Sequence, residues 1–249
     1  MRLNDDDYVR EQYRTTERLD TRASVWSTEE SGPTPQDVAI LALSDVHPKR
    51  ILEVGSGKGS LALRITQAMQ CDLVALDSSA AMVTASRSLG VETILADVRD
   101  LPFTDGSFDA VVAAWMLYHV SPLDQGLAEL ARVLRPDGRL VVITNGRTHL
   151  EELWRAAGAD HEEPAFSVEN GAEHLRHYFS EVERIDIATR AVFPDRSAAS
   201  AYLRSIDRSD LVNRLAPSGW PLRARGATAV FIADQPKRCQ PIWEVADAR

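Results

Sequence analysis

Cysteine is scarce in this chain: Cys71 and Cys239 are the only two in 249 residues. Two thiols cannot make a disulfide framework or a four-cysteine zinc site, so stability is expected from a hydrophobic core alone. Long apolar runs are missing too, and no window reaches the length that crosses a bilayer. Basic residues are in deficit, with 28 Lys and Arg against 37 Asp and Glu, a formal net charge of −9. An acidic surface repels phosphate backbones, which argues against a nucleic-acid partner. The first stretch, MRLNDDDYVREQYR, is polar and acidic and does not read as a secretory signal. These absences lead to the expectation of a soluble, cytoplasmic protein. No trio of metal-ligating side chains has metal-site spacing. His174 and His177 lie three apart on a surface-type helix, with only His161 near them in sequence, so no metal is expected.

The chain alternates element types. A polar helix is expected from the aspartates at 5–7 to about Leu19, and a second begins at Thr34-Pro35, a cap followed by proline at the first helical position. RILEV (50–54) reads as a buried strand and 60–69 as a helix with a stripe through Leu61 and Ile65. The rhythm continues with a strand at 72–77, a helix at 79–89 and strands at 91–96 and 108–115. A leucine-striped helix at 123–134 and a strand at 139–144 follow. Apolar strands alternating with helices imply a parallel sheet covered on both faces, doubly wound by the right-handed crossover rule. Beyond 145 the rhythm loosens. Two closing strands, near 182–193 and 227–234, are expected to pair antiparallel at one edge, with 195–223 inserted between them. The expected architecture is therefore an α/β, mostly parallel, seven-stranded Rossmann-like sheet. Residues 1–45 form an N-terminal helical lid, and 46–249 form the sheet domain.

The strongest motif is EVGSGKG (53–59), which follows a strand and opens a helix. Gly55 and Gly57 permit a tight turn and a close ligand approach to the backbone, and the helix N-terminus offers free amides. Twenty residues after Gly57, Asp77 ends the second strand, where a carboxylate can accept from both ribose hydroxyls. The pair points to a nucleoside-containing cofactor. A dinucleotide loop wants glycine three residues after the second, but this chain has Ser60 there. Glu53 inside the strand would repel a pyrophosphate and favour an ammonium or sulfonium. Lys58 lacks the context of a phosphate-loop lysine.

With these residues the sequence resembles the class I S-adenosylmethionine-dependent methyltransferases, in particular the small-molecule branch of the ubiquinone and menaquinone methyltransferase type. The resemblance covers residues 48–145. It rests on EVGSGKG, LDSSAAM (76–82), ADVRDLPFTDGSFD (96–109), AWMLYHV (114–120) and LRPDGRLVV (134–142), in family order. It implies S-adenosylmethionine as the cofactor. Gly55, Ser56 and Gly57 would hold the methionine part, with Glu53 near its charged end. Asp77 would bind the ribose, with Ser78 and Met82 beside the adenosine. Asp97 and Val98 would flank the adenine, and Ala114 would line the methionine pocket. In such families a leading helix often lids the cofactor. Tyr13, Arg18 and Trp26 are the lid candidates here, with Arg18 toward the cofactor's carboxylate.

Methyl transfer needs an in-line nucleophile, exclusion of water and, for a hydroxyl or ammonium acceptor, a base. His119 is the candidate general base, with an orienting or packing role as the alternative. Trp115 and Tyr118 read as pocket wall or core, and Asn145 as a substrate contact or a turn. The function expected is methylation of an O, N or C atom of a small-molecule acceptor by a monomer or homodimer. The alternatives are a nicotinamide-dependent oxidoreductase and a non-catalytic cofactor-binding partner subunit. A nucleic-acid methyltransferase is disfavoured, because AAWMLY stands where an Asn-Pro-Pro-Tyr pattern would be.

Overall fold

In β1 (Arg50–Val54) and β2 (Asp72–Asp77), the apolar side chains alternate between two buried layers, as the period-two geometry of a strand requires. Leu52, Val54, Val74 and Leu76 enter one layer; Ile51, Leu73 and Ala75 enter the other. β3 (Thr93–Leu95), β4 (Phe108–Ala114) and β5 (Leu134–Asn145) continue this sheet in parallel, and β7 (Leu222–Pro236) pairs antiparallel with both β5 and β6 (Phe179–Phe193). The order is β3-β2-β1-β4-β5-β7-β6. The computed structural model describes residues 3–26, 32–160 and 164–237. Among them no helix is long and apolar enough to cross a membrane.

The seven-stranded, mostly parallel sheet is the one expected from the strand–helix alternation. The two closing strands pair antiparallel at one edge, as expected, with β7 one place inside it. β6 is outermost, and the 194–221 segment carrying α9 (Arg196–Ser205) connects it to β7. β5 begins at Leu134, earlier than expected. Its register against β4 shifts between Leu134 and Arg139, so Pro136 and Gly138 fall in an irregularity within the strand rather than in a turn before it.

α6 (Leu123–Val133) and α8 (Gly171–Tyr178) cover one face of the sheet, while α3 (Pro35–Ser44) and α4 (Ser60–Ala68) cover the other. The Thr34–Asp37 capping box starts α3, and Ala39 and Leu43 are fully buried against the sheet. α3 thus belongs to the core layer, and only its first turn, with Pro35 and Gln36, reaches the cavity. A third cluster joins α7 (Glu151–Ala156), α9 and the paired ends of β6 and β7 around Phe193, Tyr202 and Leu203, with Val25 of the N-terminal segment among them. The inserted segment is therefore a packed cap.

The single polar helix expected at the N-terminus is two. α1 (Asp6–Gln12) is capped by Asp5, whose carboxylate accepts from the Tyr8 amide at 3.0 Å, and α2 (Glu17–Ala23) follows after a break at 13–16. The break redirects the chain. The Tyr13 carbonyl accepts from Ser79 Oγ at 2.7 Å instead of continuing a helical ladder. α2 then lies over the loop after β1.

The candidate active site

β1 is the strand at which the winding reverses, with β2 on one side and β4 on the other. In open α/β sheets the crevice beyond the carboxyl ends at such a switch point is where ligands bind. A cavity of about 2590 Å³ lies there, lined by the loop after β1, the ends of β2 and β4, the N-terminal helices and the cap. Single-ligand pockets run to roughly 1,000 Å³, so this one has room for two ligands side by side.

The loop after β1 folds onto the end of β2. The Gly55 and Ser56 amides donate to the Leu76 carbonyl at 2.8 and 3.0 Å, and the Gly57 amide donates to Asp77 Oδ2 at 2.8 Å. Asp77 Oδ1 accepts from the Ser79 amide at 2.9 Å. Its carboxylate is thus locked in place at the cavity wall, and burial pushes its pKa up. Gly55 and Gly57 have φ of +67° and +53°. A Cβ on Gly55 would sit 2.7 Å from Met116 Cβ, so this glycine serves the packing of the segment after β4. A Cβ on Gly57 would meet Leu19 of α2 at 3.3 Å, so that position sets how close the N-terminal helix can lie.

Glu53 is almost fully buried, and its Oε2 has no hydrogen-bond partner. Burial, with the nearby Asp77 adding to it, pushes its pKa up to about 8. Ser56 Oγ is likewise buried without a partner. Both residues line the cavity.

Beyond β4, Ala114 lines the cavity and Trp115 takes φ of +53°, a left-handed conformation that costs energy in a bulky residue. Two contacts hold it. Its amide donates to the Ile143 carbonyl at 2.7 Å, and its indole Nε1 donates to Asn145 Oδ1 at 3.1 Å. The same Asn145 oxygen accepts from Thr228 Oγ1 at 3.0 Å, which ties the ends of β4, β5 and β7 together. Asn145 Oδ1 is therefore spent on fixing the indole.

The N-terminal helices roof the cavity through polar contacts at several points. Asp20 pairs with Lys58, Asp6 pairs with Arg99 at 3.1 Å, and Arg18 pairs with Asp207 of the cap at 2.7 Å. Tyr13 Oη meets His119 Nε2 at 2.9 Å, and His119 Nδ1 lies 2.8 Å from the Leu3 carbonyl. A carbonyl can only accept, so Nδ1 carries the proton. Burial lowers the His119 pKa to about 4, so the ring is neutral and Nε2 accepts from the Tyr13 hydroxyl.

The structure brings Glu53, Gly55, Ser56, Gly57, Asp77, Ser78, Asp97, Val98, Ala114 and His119 together around one cavity. It sets two expected residues apart. Met82 is wholly buried in α5 (Ala80–Ser88) and does not reach the cavity. Arg18 does not line it either; its guanidinium pairs with Asp207 of the cap, which does. Asp97 lines the cavity, but its carboxylate is gripped bidentately by Arg99, which donates from Nε at 3.0 Å and Nη2 at 2.7 Å and holds the acid below its usual pKa range. Arg22, four residues after Arg18 on the same helix face, is the residue the sequence reading passed over. It lines the cavity where Arg18 does not. The i, i+4 spacing was the available signal. Cys239 and His161 lie outside the described residues.

A family model described as a methyltransferase domain matches residues 52–142. A malonyl-[acyl-carrier protein] O-methyltransferase of Geobacter sulfurreducens is 32% identical over 205 residues, spanning 76% of each chain. The chain belongs to the class I S-adenosylmethionine-dependent methyltransferases. A demethylmenaquinone methyltransferase of Thermus thermophilus is 40% identical over 103 residues, 39% of this chain and 47% of that one. The fold is shared with the Haemonchus contortus phosphoethanolamine N-methyltransferase 2 complex with S-adenosylhomocysteine (TM-score 0.63, 14% identity, 95% of this chain and 61% of that one). It is also shared with the [4+2]-cyclase SpnF (TM-score 0.60, 21% identity, 92% and 95%).

S-adenosylmethionine is accordingly the methyltransferase's cofactor, and the chemistry of the wall fits it. Two buried oxygens, Glu53 Oε2 and Ser56 Oγ, await partners. Asp77 is held by backbone amides with lone pairs to spare for hydroxyl donors.

Proposed function

We propose that this methyltransferase moves a methyl group from S-adenosylmethionine to an O, N or C atom of a small-molecule acceptor, bound between the sheet and an N-terminal lid. The observation that carries this reading is the shape of the cavity: its volume suits two ligands, and α1, α2 and the cap close over it. In this reading Asp77 takes the ribose, with Ser78 alongside. Gly55, Ser56 and Gly57 cradle the methionine part, and Glu53 faces its ammonium. Asp97 and Val98 flank the adenine, and Ala114 lines the pocket beside the methionine.

The bound cofactor supplies an electrophilic methyl on a positively charged sulfur. The chain's own task is to orient the acceptor, exclude water and shape the path. Trp115, fixed by Asn145, forms a rigid wall at the end of β4. Tyr13 and His119 close the opposite side. His119 donates to a backbone carbonyl and accepts from Tyr13, so in the closed arrangement it positions the phenol and does not itself take the acceptor's proton. Residues 3–26 act as the lid, and α3 belongs to the body beneath it.

Two measurements test the reading. Calorimetry with S-adenosylhomocysteine should give a single site with micromolar or tighter affinity, and NADH should give none. Incubation with S-adenosylmethionine and a panel of phenols, amines and carboxylic acids should release S-adenosylhomocysteine with at least one of them. A protein that binds the cofactor but turns over none of the three classes would be a binding subunit instead.

A further inference from the structure

Arg22 is the one N-terminal arginine among the described residues that points into the cavity without a carboxylate. Arg10, Arg14 and Arg18 pair with Asp7, Glu11 and Asp207. Arg22 Nε donates to the Arg18 carbonyl at 3.2 Å, while Nη2 is buried with no hydrogen-bond partner. The groups that face the guanidinium are the phenols of Tyr8, Tyr13, Tyr118 and Tyr202 and the imidazole of His119. None is an acid of the carboxylate kind. The Tyr13 ring lies against it, 5.1 Å from Cζ to the ring centroid.

A buried guanidinium without a counter-charge is costly, and the usual compensation is an anion placed in the fork. The fork's planar donors match a carboxylate bidentately, which an ammonium could not do. The aromatic walls suit a flat, apolar body attached to that anion. Tyr118 follows β4 and Tyr202 belongs to α9 of the cap, so the guanidinium stands between the turn after β4 and the cap.

We propose that Arg22, within its cage of tyrosines, is a carboxylate-binding subsite, and that the methyl acceptor is an unsaturated or aromatic acid anchored there by its carboxylate. The proposal rests on the methyltransferase site as assigned under Proposed function. The cofactor also carries a carboxylate, so the test has to tell the two sources apart.

Benzoate is the probe, with benzamide as its uncharged counterpart. Each is titrated into protein saturated with S-adenosylhomocysteine, using the intact chain and the variants Arg22→Met and Arg22→Lys. Circular dichroism checks that both variants are folded. Benzoate should bind the intact chain, lose at least tenfold in affinity in Arg22→Met and lose less in Arg22→Lys, which keeps the charge without the fork. Benzamide should bind weakly throughout, and S-adenosylhomocysteine affinity should change by less than threefold. If S-adenosylhomocysteine affinity falls tenfold in Arg22→Met, the guanidinium serves the cofactor and the proposal is overturned. It is overturned equally if benzoate does not bind the intact complex or binds Arg22→Met as well as the parent. An intact chain with no affinity for S-adenosylhomocysteine overturns the site assignment itself, and this proposal with it.

Discussion

Tyr13 and His119 meet across the cavity at 2.9 Å from segments 106 residues apart. The pair joins the lid to the turn after β4, and its direction is set by a third group. The Leu3 carbonyl accepts a hydrogen bond from Nδ1–H, so Nε2 is left as an acceptor for the phenol. One hydrogen bond between side chains thus makes the state of the lid and the orientation of the phenol a single event.

His119→Ala should lower kcat by about tenfold or less, below the range of about 100- to 10,000-fold for a lost general base. The intact enzyme's pH–rate profile should show no ionisation near the ordinary histidine value, because burial keeps this ring neutral down to about 4. Steady-state kinetics across pH 5–9 checks both. A loss of several hundredfold together with an inflection near pH 6–7 would restore His119 as the base.

The same residue couples pH to stability. Its folded pKa, about 4, lies below the value of 6.5 it has when exposed, so the unfolded chain takes up a proton over that interval and the folded chain does not. Stability from this group is complete above about pH 6.5 and is lost as the pH falls toward 4, by at most about 3 kcal/mol. Thermal melts of the parent from pH 7 to pH 4.5 should fall more steeply than those of His119→Leu. Parallel curves would show that the imidazole is not held neutral.

Glu53 works in the opposite direction. Its folded pKa of about 8 exceeds the ordinary 4.5, so the acid is protonated in the ligand-free protein at neutral pH and its contribution to stability fades as the pH rises from 4.5 through 8. An ammonium placed against it should expel that proton. Calorimetry of S-adenosylhomocysteine at pH 7 in buffers of different ionisation enthalpy should report release of up to about one proton, and Glu53→Gln should release none. Equal release by parent and variant would remove Glu53 from the methionine end.

Asp77→Ala should weaken S-adenosylhomocysteine binding by roughly 1.5–3 kcal/mol, the range for a hydrogen bond to a charged acceptor. It also frees the Gly57 and Ser79 amides, so the ligand-free protein should melt lower as well. Asp77→Asn separates the effects, since it keeps an acceptor for one amide. Unchanged affinity in both variants would take Asp77 out of the site.

The Arg18–Asp207 pair is partly exposed and worth about 1 kcal/mol or less by itself. Asp207 also accepts from Gln12 of α1, so it anchors both lid helices. Asp207→Ala should therefore raise hydrogen exchange over residues 3–26 more than Arg18→Ala does. Both variants should raise KM for the acceptor more than they lower kcat. Equal exchange in the two variants would show that Asp207 is not the anchor.

Much of the sheet was legible because its signals are local. The apolar runs of β1, β2 and β4, the cap at Thr34 and the loop EVGSGKG each state their structure within a few residues. Where reading failed, distant groups decided. The break at 13–16 has no helix-stopping residue. It exists because Ser79 Oγ captures the Tyr13 carbonyl and His119 captures its hydroxyl. Arg18 and Arg22 share a helix face, and the pairing of Arg18 with Asp207, 189 residues away, is a contact no local pattern announces. Met82 sits in a motif that resembles ribose-reading segments, yet the packing of α5 turns its side chain inward.

The sequence by itself determined the parallel α/β frame, the glycine loop with Asp77 and, through them, the family and its cofactor. Those features depend on hydrophobic period and backbone freedom, which are properties of neighbouring residues. Only the tertiary structure decided the protonation of Glu53, the tautomer of His119, the pairing of Asp97 with Arg99 and the unpartnered Nη2 of Arg22. Charge and proton position depend on burial and on partners tens of residues away, and those are fixed only when the lid and the cap close over the sheet.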